Sequence, residues 1–517
     1  MKKILFIFFS FSVIIVNAQY QNILISDQGN PEEPSIMINP KNTNEIMAGA
    51  NNDNYYYSED GGQTWTDGVL SSTYGVWGDP CIIVDTSGAF YFFHLSDPHN
   101  GNWIDRIVCQ KRDSIDGAWS NGSYTWLNGT KAQDKEWAVV DRTNNIIYVT
   151  WTQFDEYGVT HTNDSTIILF SRSIDKGLTW SLPVRLNNTA GDCEDIDNTV
   201  EGAVPAVGPN GEVYVSWAGP EGIRFNKSLD HGNTWLNNDI FVDDQPGGWD
   251  YMIPGIDRCN GLPITDCDIS NSPYRGNIYI NWSDQRNGTT DTDIWLSKSD
   301  DGGNTWCPPK RVNNDPAGKQ QFLTWMTIDP VTGYLYFVFY DRRNYSDENT
   351  DVFMAISKDG GDTFVNFKIS DTPFIPNDEV FFGDYTNISA YNNVIMPVWA
   401  RYSNGELSIW TAVVDTLVLE NGNNEELENL SLEQNTPNPF LENTYIGFKL
   451  HHPSLVSLRV YDVFGREVVT LIDNEKYNDG KYIWHFNTAQ YDLSSGTYYF
   501  SLISNEKIIT RKMLLLK

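Results

Sequence analysis

The sequence predicts an all-β protein: a seven-bladed β-propeller, with six blades as the alternative, followed by a small C-terminal Ig-like β-sandwich. Three observations lead there. The first is an eight-residue pattern, S-x-D-x-G-x-T-W, at 58–65, 173–180, 228–235 and 299–306, with Phe closing a fifth copy at 357–364. A degraded copy, Ser114-Ile-Asp-Gly-Ala-Trp119, lies between the first two. The closing aromatics are 54, 61, 55, 71 and 58 residues apart, and internal repeats of this length point to a propeller or a similar array. The second is a set of short alternating apolar runs ahead of each copy. The third is an aromatic content of 14%, with 18 Trp and 27 Tyr, which suits pleated, half-buried surfaces.

Taken in order, the first blade has strands at 34–39, 45–50, 55–58 and 65–70. The second has 81–85, 89–94 and 107–111. The third has 137–141, 146–151, 167–171 and 180–186, and the fourth 204–208, 212–217, 223–226 and 235–242. In the fifth, 277–282, 294–297 and 310–313 stand out, while its first strand does not. The sixth has 323–329, 334–340, 352–356 and 364–369. A seventh set, 387–391, 394–400 and 407–413, has no copy of the pattern and needs a fourth strand. Asn22-Ile-Leu-Ile-Ser-Asp27 offers one, because it looks like the fourth strands Phe367-Lys-Ile-Ser-Asp371 and Lys310-Arg-Val-Asn-Asn314. Joining both ends in one blade removes exposed sheet edges.

Each position of the repeated pattern has a physical task. Asp followed by Gly makes a tight turn, with the carboxylate on backbone N–H groups and Gly at φ > 0. The Thr hydroxyl adds a local bond, and the Trp packs a large ring between sheets. These residues resemble the Asp-box (BNR) repeats of the sialidase superfamily. The resemblance implies that Asp60, Asp175, Asp230, Asp301 and Asp359 are structural, on the face away from the ligand site.

The ends carry addresses. Residues 1–18 read as a signal peptide: Lys2 and Lys3, an apolar run over 4–16, then Val16-Asn17-Ala18 before Gln19. The propeller is expected over 19–415 and an acidic, Asn-rich linker over 416–431. From 432 to 517 come Leu432-Glu-Gln-Asn-Thr-Pro-Asn-Pro-Phe440, Val456-Ser-Leu-Arg-Val-Tyr-Asp-Val-Phe-Gly-Arg-Glu-Val468, Leu493-Ser-Ser-Gly-Thr-Tyr-Tyr-Phe500 and a Lys512-Met-Leu-Leu-Leu-Lys517 ending. This stretch resembles the C-terminal sorting domain of type IX secretion substrates. It implies the type IX machinery as a partner and a secreted or outer-membrane-surface location.

A formal charge of −33 disfavours nucleic acid or an anionic membrane as a partner. Six cysteines in an exported chain permit disulfides; Cys259 with Cys267 is the easiest pair, and Cys81 with Cys109 another. The Asp-rich loops at 192–197 and 347–351 offer oxygens of the kind Ca²⁺ takes, without EF-hand spacing.

Aligning the blades places an acid just before the first strand of most: Glu33, Asp79, Glu136, Glu201 and Asp384, with Asp250 and Gln321 in the remaining positions. After the second strand come Asn52, His94, Gln153, Trp217, Asp284 with Arg286, Asp341 with Arg342 and Arg343, and Arg401. All these loops share one face. Paired carboxylates beside aromatic rings suit glycan binding and glycoside hydrolysis. The expected catalytic set is Asp79, Glu136, Asp384, Tyr385 and Arg342. The expected ligand-binding set is Arg286, Arg401, Asp341, Trp77, Trp151 and Glu201, with a glycan or glycoprotein as ligand. Hydrolysis and non-catalytic glycan or protein binding both follow from such a mouth. Sialidases hold the substrate carboxylate with three arginines, one in an F/Y-R-I-P motif ahead of the first Asp box. Here no arginine precedes Arg106.

Overall fold

The computed structural model describes residues 20–414, 430–450, 453–462, 466–491, 493–504 and 507–516. The expected signal peptide and most of the expected linker lie outside these residues. The chain divides into two compact units, Met1–Asp415 and Thr416–Lys517. Among the described residues, no helix is long and apolar enough to cross a membrane.

The first unit contains seven four-stranded antiparallel sheets among its described residues. Six are built from consecutive strands. In the seventh, Gln21–Ser26 pairs with Glu406–Val413, beside Val394–Ser403 and Asn387–Tyr391. The first strand of each sheet packs against the first strands of the sheets before and after it, and Asn387–Tyr391 returns to Ser35–Ile38. These seven strands line a narrow central channel. The arrangement is propeller-like, and it leaves no first strand as a free edge.

Burial follows position within a sheet. Second strands such as Phe90–Leu95, Ile147–Phe154 and Leu335–Asp341 are buried at every residue, while the fourth strands Thr66–Val69 and Val365–Lys368 stay largely open. Trp151, Trp217, Trp282 and Trp399, each on a second strand, are fully enclosed. Each such ring contributes roughly 1.5–3 kcal/mol by leaving water.

The repeated pattern forms one turn five times over. In the first, the Ser58 hydroxyl accepts from Gly62 N (2.9 Å) and donates to Asp60 Oδ1 (2.8 Å). Asp60 accepts from Thr64 N (2.9 Å) and Thr64 Oγ1 (2.7 Å). Asp175, Asp230, Asp301 and Asp359 repeat this. The glycine at the fifth position of the pattern faces the preceding sheet: a Cβ at Gly303 would lie 2.5 Å from Phe225, and one at Gly232 2.5 Å from Phe170. Trp306 and Trp235 meet those same rings edge-on at 5.0 and 4.7 Å. The pattern therefore welds neighbouring sheets as well as turning the chain.

The fifth sheet shows why its first strand escaped the sequence reading. That strand is Ile264–Cys267, preceded by an insertion with its own small ladder, Asp250–Tyr251 against Cys259–Asn260. Asp250 lies within this insertion, not ahead of a first strand; its backbone N–H donates to Asp197 Oδ1 (2.8 Å).

All six cysteines are free thiols, five buried and Cys307 exposed. The expected Cys81–Cys109 pair fails on register. Cys81 pairs with Phe93 and Phe93 with Cys109, so two strand spacings, about 9–10 Å, separate them, beyond disulfide reach. Cys259 and Cys267 lie on strands of different sheets.

In the second unit, Leu430–Leu432, Asn443–Leu450 and Gly480–Asn487 form one antiparallel sheet. Glu467–Tyr477, Ser454–Tyr461, Gly496–Ser504 and Lys507–Leu515 form another. They share one apolar core, including Phe448, Val460, Phe500 and Met513.

Candidate functional site

At one end of the channel the chain enters several first strands through a left-handed residue. Glu33, Asp79, Lys135, Gly202 and Leu323 have φ of 51, 51, 50, 71 and 48°. Four of these are not glycine, a costly choice that clusters at functional sites. The ladder slips between Asp134 and Trp137, between Glu201 and Val204, and between Phe322 and Trp325. Such bulges re-aim side chains out of the regular alternation. Here they turn acids toward the axis.

Lys135 is the hub. Its Nζ lies 2.5 Å from Asp384 Oδ2, 3.7 Å from Glu33 Oε1 and 3.8 Å from Asp79 Oδ2. Burial works to discharge Lys135, but Asp384, Asp79 and Glu33 outweigh it and hold its pKa well above the ordinary lysine value. Arg258, carried by the insertion before the fifth sheet, grips Asp384 through Nε (2.9 Å) and Nη2, and reaches Asp195 Oδ2 at 3.1 Å. Burial alone would raise Asp384, yet Lys135 and Arg258 together keep it below the usual carboxylate range. Tyr157 donates to Asp195 (2.7 Å), and Asp384 N donates to Glu33 Oε1 (3.1 Å).

The other acids are pushed the opposite way. Burial, then Asp79, raises Asp134 and Glu136 well above the ordinary range; burial, then Asp195, does the same to Glu201. Burial also raises Glu33, against the pull of Lys135. Neither oxygen of Glu136 has a hydrogen-bond partner among the described residues. Glu32 is half-buried, and burial pushes its carboxyl up to about 7. Burial thus raises most of these carboxyls while two cations hold Asp384 down, the divergence that acid–base chemistry uses.

Above this cluster lies an open pocket of about 230 Å³ lined by Glu32, Asp79, Asp134, Lys135 and Arg258 below and by Trp77 and Trp103 at the rim. The two indoles meet edge-on at 5.9 Å and are 41% and 43% exposed. Below it, Trp137, Trp325 and Tyr385 close the channel, with ring centroids 4.2 Å apart for the first pair and 5.1 Å for Trp137 and Tyr385.

The structure brings together Asp79, Glu136, Glu201 and Asp384, with Trp77 beside them. Tyr385 lies against the same cluster, and the rest of the expected set is elsewhere. Trp151 is fully buried, donating its indole N–H to Gln133 (2.7 Å), so it packs the core and presents no platform. Tyr385 is enclosed, and burial, then Asp79, raises its phenol well above the ordinary value, the wrong direction for a phenolate nucleophile. Arg286 lies against Trp295 (4.5 Å) and pairs with Asp284 and Asp243. Arg401 pairs with Asp371 and lies over Trp410. Arg342 is buried over Phe322, with Nε on Thr350 Oγ1 (3.0 Å), and burial lowers its pKa to about 10. Asp341 is held by Arg343 (2.7 Å). His94 is also buried, and burial lowers it to about 4.

The expected Ca²⁺ loops spend their carboxylates on the protein. Asp195 holds Arg258 and Tyr157, and Asp192 accepts from Thr199 Oγ1 (3.0 Å). Asp347 accepts from Asn349, and Asp351 from Tyr345 and Ser370.

Lys135, Arg258, Glu32, Asp134 and Trp103 of the site were missed in the sequence. Lys135 was hidden between two acids. The signal for Arg258 was the longest repeat interval, 71 residues, which holds the insertion.

Residues 436–516 match the family model described as the secretion system C-terminal sorting domain. This places the chain among proteins exported by type IX secretion to the cell surface or beyond. No curated protein matches the chain. Similar solved structures include a protein of unknown function from Dyadobacter fermentans, 12% identical, covering 77% of this chain and 98% of that one, with a TM-score of 0.44. A Hadza microbial sialidase is 13% identical over 73% of this chain and 75% of its own, with a TM-score of 0.42. A Trypanosoma rangeli sialidase is 11% identical over 87% and 84%, with a TM-score of 0.40. At such identities and scores these likenesses carry no residue correspondence.

Proposed function

We propose that this exported chain is a carbohydrate-active protein whose first unit, a seven-bladed Asp-box propeller over 19–415, hydrolyses glycosidic bonds at the mouth of its channel. On this reading residues 1–18 are a signal peptide, 416–431 a linker, and 432–517 an Ig-like sorting sandwich that directs export and is not part of the site. The observation that carries the proposal is the open pocket in which the Trp77 and Trp103 rings stand over Glu32 and Asp79. Hydrolysis at an anomeric carbon needs one carboxyl that holds a proton and one close by that is ionised. Glu32, pushed up to about 7, suits the proton donor. Asp79, which lines the same pocket with Oδ2 3.8 Å from the Lys135 ammonium, is placed for the second role.

Asp384 is spent on two cations, so it fixes Lys135 and with it the other acids. Asp79 and Asp384 both lie within 3.8 Å of one nitrogen. Glu136 and Glu201 do not line this pocket, and burial raises both carboxyls. The second reading is a binding module without turnover. What favours it is the clamped state of Asp384 and the near-complete burial of the other acids.

The test is a screen of the full mature chain against aryl glycosides and natural glycans, sialosides included. Turnover that falls at least 100-fold in Asp79→Asn and in Glu32→Gln, with unchanged circular dichroism, supports hydrolysis. Saturable binding without turnover, weakened more by Trp77→Ala than by the acid-to-amide changes, replaces it with the binding module. Silence on every glycan rejects hydrolysis and glycan binding and leaves a protein as the module's partner.

A further inference from the structure

We infer that the mouth accepts uncharged or amine-bearing sugar units and turns away carboxylated ones, a selectivity that rests on the glycan reading above. The ground is the balance of groups at the pocket. Four carboxyl side chains line it, Glu32, Glu33, Asp79 and Asp134, and Asp384 and Asp195 stand behind them on Lys135 and Arg258. Two cations answer them, and neither is free. Lys135 Nζ already faces three carboxyls. Arg258 directs all three guanidinium nitrogens at Asp384 and Asp195.

A site that holds a substrate carboxylate needs an available guanidinium or ammonium, since paired N–H donors are what make such contacts strong. Arg286, Arg342 and Arg401 do not supply one, because none of them lines the pocket. Arg286 and Arg401 are paired with their own acids, and Arg342 is buried over Phe322. A carboxylate entering beside Glu32 and Asp79 finds no unspent cation to pair with, in a partly dry site where screening is weak. A hydroxyl, an amide or an ammonium meets the reverse situation. The indole faces of Trp77 and Trp103 favour a cation further.

The experiment uses the full mature chain and polysaccharide pairs that share a backbone. These are methyl-esterified and de-esterified polygalacturonan, cello-oligomers and their C6-oxidised forms, and chitin oligomers with their deacetylated forms. The expected result at low salt is binding or cleavage at least tenfold stronger for the neutral or amine-bearing member than for a carboxylate member. The gap should narrow in Glu32→Gln/Asp79→Asn. Equal treatment of both members, or preference for the carboxylate, overturns the inference.

A second readout needs no glycan. Quenching of the emission lost in Trp77→Phe/Trp103→Phe should be stronger with Cs⁺ than with I⁻, and the ratio should fall in the double acid-to-amide variant. If the chain ignores all the glycans, the glycan reading fails; if the Cs⁺ to I⁻ ratio is unchanged by the acid substitutions, the charge selectivity fails.

Discussion

Replacing Lys135 with Met tests the hub directly. The ammonium is 7% exposed and touches three carboxyls, the nearest at 2.5 Å. Methionine keeps much of the stem's volume, so the packing loss is small, and the change reads mainly as a lost charge. Removing one partner of a buried pair costs about 3–5 kcal/mol because the other charge is stranded. Arg258 still neutralises part of Asp384, so the lower end, about 3 kcal/mol, is expected here. With an m-value near 3 kcal/mol/M the urea midpoint falls by about 1 M. Trp emission reports the right transition, since every tryptophan except Trp484 lies in the first unit.

The dependence on pH has a definite sign. Asp384, held low in the fold, stabilises above the unfolded carboxylate value of about 4 and loses this as pH falls further. Lys135, held high, stabilises below about 10.5 and loses this only at more alkaline pH. The deficit of Lys135→Met is therefore fully developed near pH 7 and shrinks as the medium is acidified below pH 4. A midpoint unmoved at pH 7, or a deficit that widens with acid, refutes the hub assignment.

Three further outcomes are expected. Ser299→Ala leaves the buried Gly303 N–H without its acceptor, and thermal melting should show a loss of about 1–3 kcal/mol; no loss would mean that the repeated turn is held by its neighbours. Ellman's reagent should react with one thiol in the native chain, Cys307, and with six after unfolding without reductant, given six free cysteines; a smaller unfolded count would reveal a disulfide. For a glycan that is turned over, kcat/KM should fall as pH rises through about 7, where Glu32 gives up its proton, and Glu32→Gln should remove that limb of the profile.

Much of the first unit was legible because its information is local. The serine, aspartate, glycine and threonine of each repeated turn bond to one another within seven residues. Their spacing alone therefore predicts the turn. Second strands such as Phe90–Leu95 announce themselves as apolar runs. The strand Gln21–Ser26 was recognisable from its likeness to other fourth strands, although it pairs almost 400 residues away. The candidate site was only partly legible. Asp79 and Asp384 could be placed near the mouth by aligning repeats, whereas alignment also promoted Trp151 and Arg286, whose side chains turn into the packed sheets. Period-two alternation decides the face a side chain takes, and a bulge resets it.

The sequence by itself determined the repeated turns, most of the strands and the sorting domain, because each is written in contiguous residues with fixed local partners. Only the tertiary structure decided which charges meet. Lys135, Arg258 and Asp384 come from three separate parts of the chain, and nothing local to any of them names the others. Their meeting depends on a left-handed residue, a ladder slip and an inserted loop acting together. The ionisation of the mouth follows from that meeting, since burial and neighbouring charge, not residue type, set where each carboxyl holds its proton.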